Sequence, residues 1–399
     1  MRIVLVNKYW YERGGTERVL FLTKKLLEDA GHEVEVFGMR DEKNIFDNEY
    51  FIENIDFTKA KGLQKFTQAK NVICNSDAKE KFKKLLTEFA PDVVHFHNIY
   101  HQLSFSLVDA ADEMKVPSVM TLHDYKMISP NYTMYHHGNI DDTIMGKSYY
   151  RCLLHNSMES LYKSFLFTLE AYWRVRHHIQ QKISAYIAPS EFMKELCIRA
   201  LWKEKIEVVS NPIASESFEH YTEKDYVGYT GRLSEEKGVE YLIAAARETP
   251  EIVYKIAGSG PDEARLKGLA KDLPNVEFVG WLDGTDLFRF IGEARLLVVP
   301  SVWYENYPYS ILRPQQMGKV VIGSNIGGIP ELLPENCLFD AKNIADMVER
   351  LRFWYMAPDQ ERARLGALFQ KRVERENSPE LYLQKIVALY ETVSARGKK

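Results

Sequence analysis

Short apolar runs alternate with amphipathic stretches along this chain, and the alternation sets its architecture. Arg2–Asn7 is an apolar run of strand length. Over Glu17–Ala30 the positions Val19, Leu20, Leu22, Leu26 and Leu27 recur at helical spacing, and Gly31 follows as a stop. Next come a strand over Glu33–Gly38, a helix over Ala78–Phe89, a strand over Asp92–His97, a helix near Leu103–Met114 and a strand over Pro117–Leu122. The pattern predicts one long helix over Met158–Ile183, then strand Ala185–Ala188, helix Glu191–Leu201 and a last strand within Ile206–Pro212. The polar stretch Asn139–Ser157 has no period and reads as a mobile loop over a cleft.

The rhythm then restarts. Strands over Tyr226–Thr230, Val253–Ala257, Val276–Val279, Leu296–Pro300 and Val320–Gly323 are each followed by a helical pattern: Val239–Arg247, Asp262–Ala270, Thr285–Ala294, Ser310–Met317 and Pro330–Leu333. From about Asp359 the tail is two helices broken near Ser378-Pro379. Strands separated by helices predict parallel sheets with right-handed crossovers. The fold class is therefore α/β, with two Rossmann-like doubly wound domains over 1–211 and 212–378. A length of 399 residues, 45% of them hydrophobic, suits two cores.

Composition narrows the function. Net charge is −4, from 52 basic and 56 acidic side chains, so nucleic acid is not an expected partner. Cys74, Cys152, Cys197 and Cys337 are scattered, with no CxxC pair, which fits a reducing compartment. The N-terminus reads as a buried strand rather than a signal peptide, and no apolar run reaches the roughly 20 residues that span a bilayer. A cytoplasmic protein is expected. Leu161–Gln181 mixes large apolar residues with Lys163, Arg174 and Arg176. It reads first as a helix packed on its own sheet with a solvated basic side, and second as peripheral contact with the inner face of a membrane.

Parallel sheets place ligands at the carboxyl ends of their strands. After the first strand, Gly14 and Gly15 precede a helix, where close backbone approach and a helix N-terminus suit an anion or a sugar. After the first strand of the second half come Gly231, Arg232, Lys237 and Gly238. Two cations there would stabilise the charge that develops on a departing diphosphate. Gly258-Ser259-Gly260 is a further backbone cradle. Pro300–Pro308 carries Glu305, an acceptor for sugar hydroxyls, with Asn306 and Tyr307 at a helix start. Gly327-Gly328-Ile329-Pro330-Glu331 is a last glycine turn. Singly, each is also an ordinary strand-to-helix loop.

In this order the four pieces of the second half resemble the donor domain of family-4 retaining glycosyltransferases of GT-B fold. Gly14-Gly15 and Thr121-Leu122-His123-Asp124 resemble that family's acceptor-domain loops. The resemblance implies an acceptor domain, then a donor domain, with the final helix, about 379–396, returning to the first and the active site in a cleft between them. It implies that Arg232 and Lys237 bind the donor diphosphate, that Glu305 contacts the donor sugar, and that His123 lies at the reaction centre. Gly14, Gly15, Gly231, Gly258, Ser259, Gly260, Asn306, Tyr307 and Arg313 would line the donor, and His97, Asn98 and Asp124 the acceptor. The implied reaction moves a hexose-type sugar from a UDP- or GDP-linked donor to a glycan or lipid-linked acceptor with retention, without metal or cofactor, in cell-surface polysaccharide assembly.

One position departs from the family. Its second glutamate, eight residues after the first and bonded to the nucleotide ribose, is here Arg313, followed by Pro314. Arginine only donates hydrogen bonds, and the proline requires the helix to start late or kink. Arg313 pairs with a phosphate, or another acceptor replaces the glutamate, or transfer is impaired and the chain is a sugar-nucleotide-binding scaffold. A sugar-nucleotide epimerase of the same fold is a further alternative. A metal is not expected. His95, His97 and His101 lack a completing ligand, and His136, His137, Cys152 and His155 match no zinc-finger spacing. The absence of GxGxxG, DxD and GxSxG disfavours the dinucleotide, metal-dependent and serine-hydrolase readings.

Overall fold

The computed structural model describes residues 1–54, 70–200 and 202–397. Its contacts divide the chain into two compact units, one of Met1–His137, Asp141–Pro212 and Pro379–Lys399, the other of Gly138–Ile140 and Ile213–Ser378.

The first unit holds strands β1 (Arg2–Val6), β2 (Glu33–Phe37), β3 (Val93–Phe96) and β4 (Ser118–Thr121). Next in the chain come β5 (Tyr135–His136) and β6 (Asn139–Ile140), of which β6 belongs to the second unit, and then β7 (Ala185–Ala188) and β8 (Ile206–Val208) of the first. Six of these form one sheet in the order β2-β1-β3-β4-β7-β8, paired in parallel throughout. Every residue of β3, β4 and β7 is buried, as expected of a sheet covered on both faces. The order reverses between β1 and β3, so their carboxyl ends flank the switch point where such sheets hold ligands. The last helix, Pro379–Gly397, packs on this unit. Thr23 Oγ1 lies 2.9 Å from the Tyr382 hydroxyl, His95 Nδ1 lies 2.6 Å from that of Tyr390, and Ser394 Oγ donates to the Asp92 carbonyl at 3.0 Å.

The second unit holds β9 (Lys224–Thr230), β10 (Tyr254–Ala257), β11 (Val276–Gly280), β12 (Ala294–Val299), β13 (Val321–Ser324) and β14 (Leu338–Phe339). They form a parallel sheet in the order β11-β10-β9-β12-β13-β14. Its switch point lies between β9 and β12. One continuous core of strand and helix residues fills this unit, from Ile213 to Val373.

Four expectations need correcting. The long helix breaks at His178, whose φ of 53° is left-handed, into Leu161–Arg176 and a turn at Ile179–Lys182. The stretch Asn139–Ser157 is folded rather than a bare loop: it holds β6, a 3-10 turn at Asp142–Ile144 and a helix at Tyr150–Leu154. Of the two outcomes expected at Pro314, a late start or a kink, the late start does not occur: the helix spans Tyr309–Gln316 with the proline inside its last turn. Helix Leu161–Arg176 keeps Lys163 and Arg176 exposed but loses Arg174 from its solvated basic side. Arg174 and Glu170 face inward, while Leu161, Tyr162, Phe165, Leu169, Tyr172 and Val175 are exposed. A buried polar triad holds Arg174 inside: Lys126 Nζ lies 2.6 Å from Glu170 Oε2 and Arg174 Nε 2.8 Å from Glu170 Oε1. Such charges tolerate burial only when paired, and they share the inner face with Leu166, Phe167 and Ala171.

Elsewhere, β14 and the helix Ile344–Met356 add to the predicted elements. That helix was legible: Asn343 accepts from the Asp346 N–H as an N-cap, and Met347, Val348, Leu351 and Trp354 are buried at helical spacing. The predicted end of helix Glu191–Leu201 falls on Leu201, outside the described residues; the helix runs over Glu191–Arg199.

Candidate active site

In the second unit the loops at the switch point follow β9 and β12, and backbone packing locks them together. The first ends in a 3-10 turn, Glu235–Lys237, and at Gly238, whose φ of 68° favours glycine. A Cβ there would lie 2.0 Å from the Pro300 carbonyl oxygen. The Val302 N–H donates to the Glu236 carbonyl at 2.9 Å. With the loops so pressed, Lys237 Nζ donates to Glu305 Oε1 at 2.7 Å, and Ser301 Oγ donates to the same oxygen at 2.7 Å. Lys237 also lies 4.9 Å from the centroid of the Trp303 ring.

Glu305 is only 6% exposed. Burial pushes its carboxyl up, but the Lys237 ammonium and the Ser301 hydroxyl together hold it below the ordinary glutamate range. The site thus holds an ionised, oriented acceptor beside a cation. Arg232, in the same loop as Lys237, is exposed, with no side-chain partner among the described residues, while its carbonyl accepts from the Tyr229 hydroxyl at 2.9 Å.

The other glycines serve the same packing. A Cβ on Gly258, at φ 145°, would lie 1.8 Å from the Gly231 carbonyl oxygen, and one on Gly260 2.2 Å from that of Leu233. The Leu233 N–H donates to the Ser259 carbonyl at 2.9 Å. Gly327 and Gly328 press on the backbone of Glu305 and Asn306, and the Gly328 N–H donates to the Glu305 carbonyl at 2.7 Å. Gly258–Gly260 thus pack on the loop that carries Arg232, and Gly327-Gly328 on the backbone of the loop that carries Glu305. Tyr307 turns inward, its hydroxyl 3.1 Å from Asn377 Nδ2, so its backbone, not its ring, faces the loop.

Arg313 does not present a bare cation. It pairs with Glu216 at 3.0 Å, donates to Gln316 Oε1 at 2.8 Å and lies 5.0 Å from the Phe288 ring centroid. Glu216 was not singled out from the sequence, because the pairing joins positions nearly a hundred residues apart.

In the first unit a small pocket at the switch point is lined by His97, Asn98, Thr121, His123, Asp124 and Lys126, among others. Asn7 ties the β1 and β3 loops together by accepting from the Asn98 N–H at 3.0 Å, and Asn98 Nδ2 reaches Thr16 Oγ1 at 3.5 Å. His97 Nδ1 lies 2.8 Å from His123 Nε2, and His95 is held by Tyr390 and Thr121 at 2.6 and 2.7 Å. Burial lowers all three rings, His95 and His123 to about 3, so they are neutral at physiological pH. Asp124 accepts from the Lys126 N–H at 3.0 Å, yet burial outweighs this bond and the nearby Lys8 and Lys126 charges, raising its carboxyl to about 6.

Lys8 opens the stretch after the first strand that leads to Gly14-Gly15, and its charge is felt by Asp124. Its ammonium sits 4.1 Å from the Tyr100 ring centroid, and burial lowers it to about 8 against the pull of Asp124 and Glu17. Gly14 starts the helix Gly15–Asp29, and a Cβ there would meet nothing within 4 Å. In contrast to the glycines around Glu305, the fold's own packing does not require it.

Comparison with known proteins follows the same division. Residues 13–217 match the sequence family described as Glycosyltransferase Family 4, and residues 210–387 the family described as Glycosyl transferases group 1. The chain is 26% identical over 352 residues to an uncharacterised 42.6 kDa protein in the cps region of Klebsiella pneumoniae, covering 83% of this chain and 87% of that one. It is 31% identical over 136 residues to a sulfoquinovosyl transferase of Arabidopsis thaliana, covering 33% of this chain and 26% of that protein. Among solved structures it is similar to sucrose-phosphate synthase from Thermosynechococcus elongatus, with a TM-score of 0.71 at 17% identity over 99% of both chains. It is also similar to Anabaena HepE in complex with UDP and glucose, with a TM-score of 0.65 at 16% identity over 98% of this chain and 99% of that one. Two parallel-sheet units in series, of this topology, are the GT-B fold. With over half its length matched by the family's sequence pattern, the chain belongs to glycosyltransferase family 4.

Proposed function

We propose that this enzyme is a retaining, metal-independent hexosyltransferase that draws on a UDP- or GDP-linked sugar, with residues 212–378 binding the donor and 1–211 the acceptor. The observation that carries the reading is the Lys237–Glu305 pair at 2.7 Å, in the loops at the carboxyl ends of β9 and β12, with Arg232 exposed in the first of those loops. Arg232 and Lys237 meet the donor diphosphate, and Glu305 accepts from the sugar hydroxyls. Gly231, Gly258, Ser259, Gly260, Asn306 and Tyr307 shape the backbone around it. The acceptor hydroxyl attacks the anomeric carbon on the leaving-group face, a new carbon–oxygen bond forms as the bond to the diphosphate breaks, and a phosphate oxygen takes the hydroxyl proton. The cations act mainly on the charge that grows on the departing diphosphate. His123, a neutral ring, offers a hydrogen bond near the reacting sugar. His97, Asn98 and Asp124 orient the acceptor, and Gly14 and Gly15 leave room for it and the donor.

Glu216 answers the missing second glutamate. Held by Arg313, it offers a carboxylate where the family uses one from the helix itself, so Arg313 positions an acceptor rather than binding phosphate. The acceptor class is a glycan or lipid-linked saccharide in cell-surface polysaccharide assembly, supported by the relative in the Klebsiella cps region. The outward apolar stripe of helix Leu161–Arg176, bordered by exposed Lys147, Lys163 and Arg176, supports work at the inner face of a membrane. Among the described residues no helix is long and apolar enough to cross one.

A thermal-shift panel of nucleoside diphosphates and sugar nucleotides, followed by turnover, tests the reading. Stabilisation by one nucleotide class with glycosyl transfer supports it. Tight donor binding with neither transfer nor hydrolysis would instead favour the scaffold, and conversion of the donor without acceptor would favour an epimerase.

A further inference from the structure

The folded stretch between β5 and helix Leu161–Arg176 gathers two histidines and a carboxylate that the transfer reaction does not use. His136 lies on β5, Asp141 precedes the 3-10 turn Asp142–Ile144, and His155 follows helix Tyr150–Leu154. Asp141 Oδ2 is 3.1 Å from His136 Nε2 and 2.6 Å from His155 Nδ1. One ligand atom from each residue falls within 4.8 Å of the other two. The second carboxylate oxygen is engaged separately: Asp141 Oδ1 accepts from the Thr143 N–H at 2.9 Å and from its hydroxyl at 2.5 Å. Oδ2 is thereby aimed at both imidazoles, an outer bond of the kind that orients metal-binding carboxylates.

We propose that His136, Asp141 and His155 form a site for one divalent cation of borderline softness, Zn²⁺ above all. Two imidazole nitrogens and one carboxylate oxygen are a zinc donor set, with water completing four-coordination. The side chain of His155 is 40% exposed, which gives that water an approach. In tetrahedral zinc, bonds of about 2.0–2.1 Å put ligand atoms roughly 3.3 Å apart. The two observed separations need to open by only about 0.2 and 0.7 Å to match. The earlier zinc suggestion drew on His136, His137, Cys152 and His155. The fold keeps two of these, substitutes Asp141, and leaves Cys152 fully buried outside the set. His137, across the strand from its neighbour, lies 4.0 Å from Glu159 instead.

The cation would staple a strand, a 3-10 turn and a short helix that otherwise share no sheet. It is distinct from the transfer chemistry, so it does not conflict with metal-independent catalysis. Test it on the full chain, stripped with a chelator and titrated with CoCl₂ and with ZnCl₂. One saturable Co²⁺ per chain, with tetrahedral d–d absorption displaced by Zn²⁺, is expected. His136→Gln, Asp141→Asn and His155→Gln should each weaken uptake by at least about tenfold, and Cys152→Ser should not. Independently of folding in these variants, ZnCl₂ should shield His136 and His155 of the wild-type chain from diethylpyrocarbonate, leaving His177 reactive. Absence of stoichiometric uptake by the wild-type chain, or no shielding of the two histidines, overturns the site.

Discussion

Lys237 and Glu305 stand 68 positions apart in sequence and 2.7 Å apart in the fold, and Ser301 donates to the same carboxylate oxygen. Neither residue was placed by its own element. Gly238, Gly327 and Gly328 admit the carbonyls that hold the three loops in register. Removing the cation leaves a buried carboxylate unpaired. Lys237→Ala should therefore lower kcat/KM by roughly a hundredfold or more, and lower stability by about 1–3 kcal/mol. Arg232→Ala, at an exposed and unpaired side chain, should lose comparable activity with Tm nearly unchanged. Donor kinetics and thermal unfolding of both variants check the split; near-normal turnover in both removes them from the mechanism.

The glycines should divide by their surroundings. Gly258→Ala forces a Cβ to 1.8 Å from a carbonyl at a left-handed φ, so a loss of several kcal/mol or failure to fold is expected. Gly14→Ala meets nothing within 4 Å and should shift stability by less than about 1 kcal/mol. Its kcat/KM should still fall if that loop receives ligand. Measuring Tm and turnover side by side separates a packing glycine from a binding one.

Asp124 gives a pH signature. Its carboxyl is raised to about 6 by burial, against an ordinary value of 3.8. Between those values the native state holds a proton that the unfolded chain has lost, so stability falls as pH rises from about 4 to 6. The loss should be roughly 1–3 kcal/mol. Denaturant unfolding across this range should show it in the wild type, and Asp124→Asn should flatten it. An equal slope in the variant would assign the effect elsewhere. Because burial keeps His123 and His97 neutral, kcat/KM should show no inflection from either near pH 6.5.

Arg313 and Glu216 test the ribose question. If Glu216 accepts from the donor, Glu216→Gln and Arg313→Ala should each raise donor KM several-fold and leave kcat within about twofold. The double variant should cost little more than either alone, since the two act as a unit. Additive losses in a double-mutant cycle would show that they act separately.

The outward stripe of helix Leu161–Arg176 makes a further prediction. Flotation with anionic vesicles should be lost in Phe165→Glu/Leu169→Glu, while turnover on a water-soluble acceptor stays near wild type. Equal flotation of the variant would leave the stripe without a membrane role.

The sequence by itself determined the βα rhythm, the parallel sheets and the glycine-rich loops at strand ends. These depend on local spacing: apolar runs of strand length, apolar positions three and four apart, and glycine where a left-handed turn is needed. Even helix Ile344–Met356 was written in that code. What only tertiary structure decided were pairings between distant side chains. The left-handed turn at His178 interrupts a period that continues unbroken in sequence. The Lys126–Glu170–Arg174 triad draws Arg174 inward, away from the exposed Lys163 and Arg176 of the same helix, because a buried charge needs its partner. Arg313 finds Glu216 across 97 positions, and His136 and His155 find Asp141 through a local fold whose turns no period marks. Local order follows from neighbours in sequence, whereas ion pairs and sites depend on which strand ends the topology brings together.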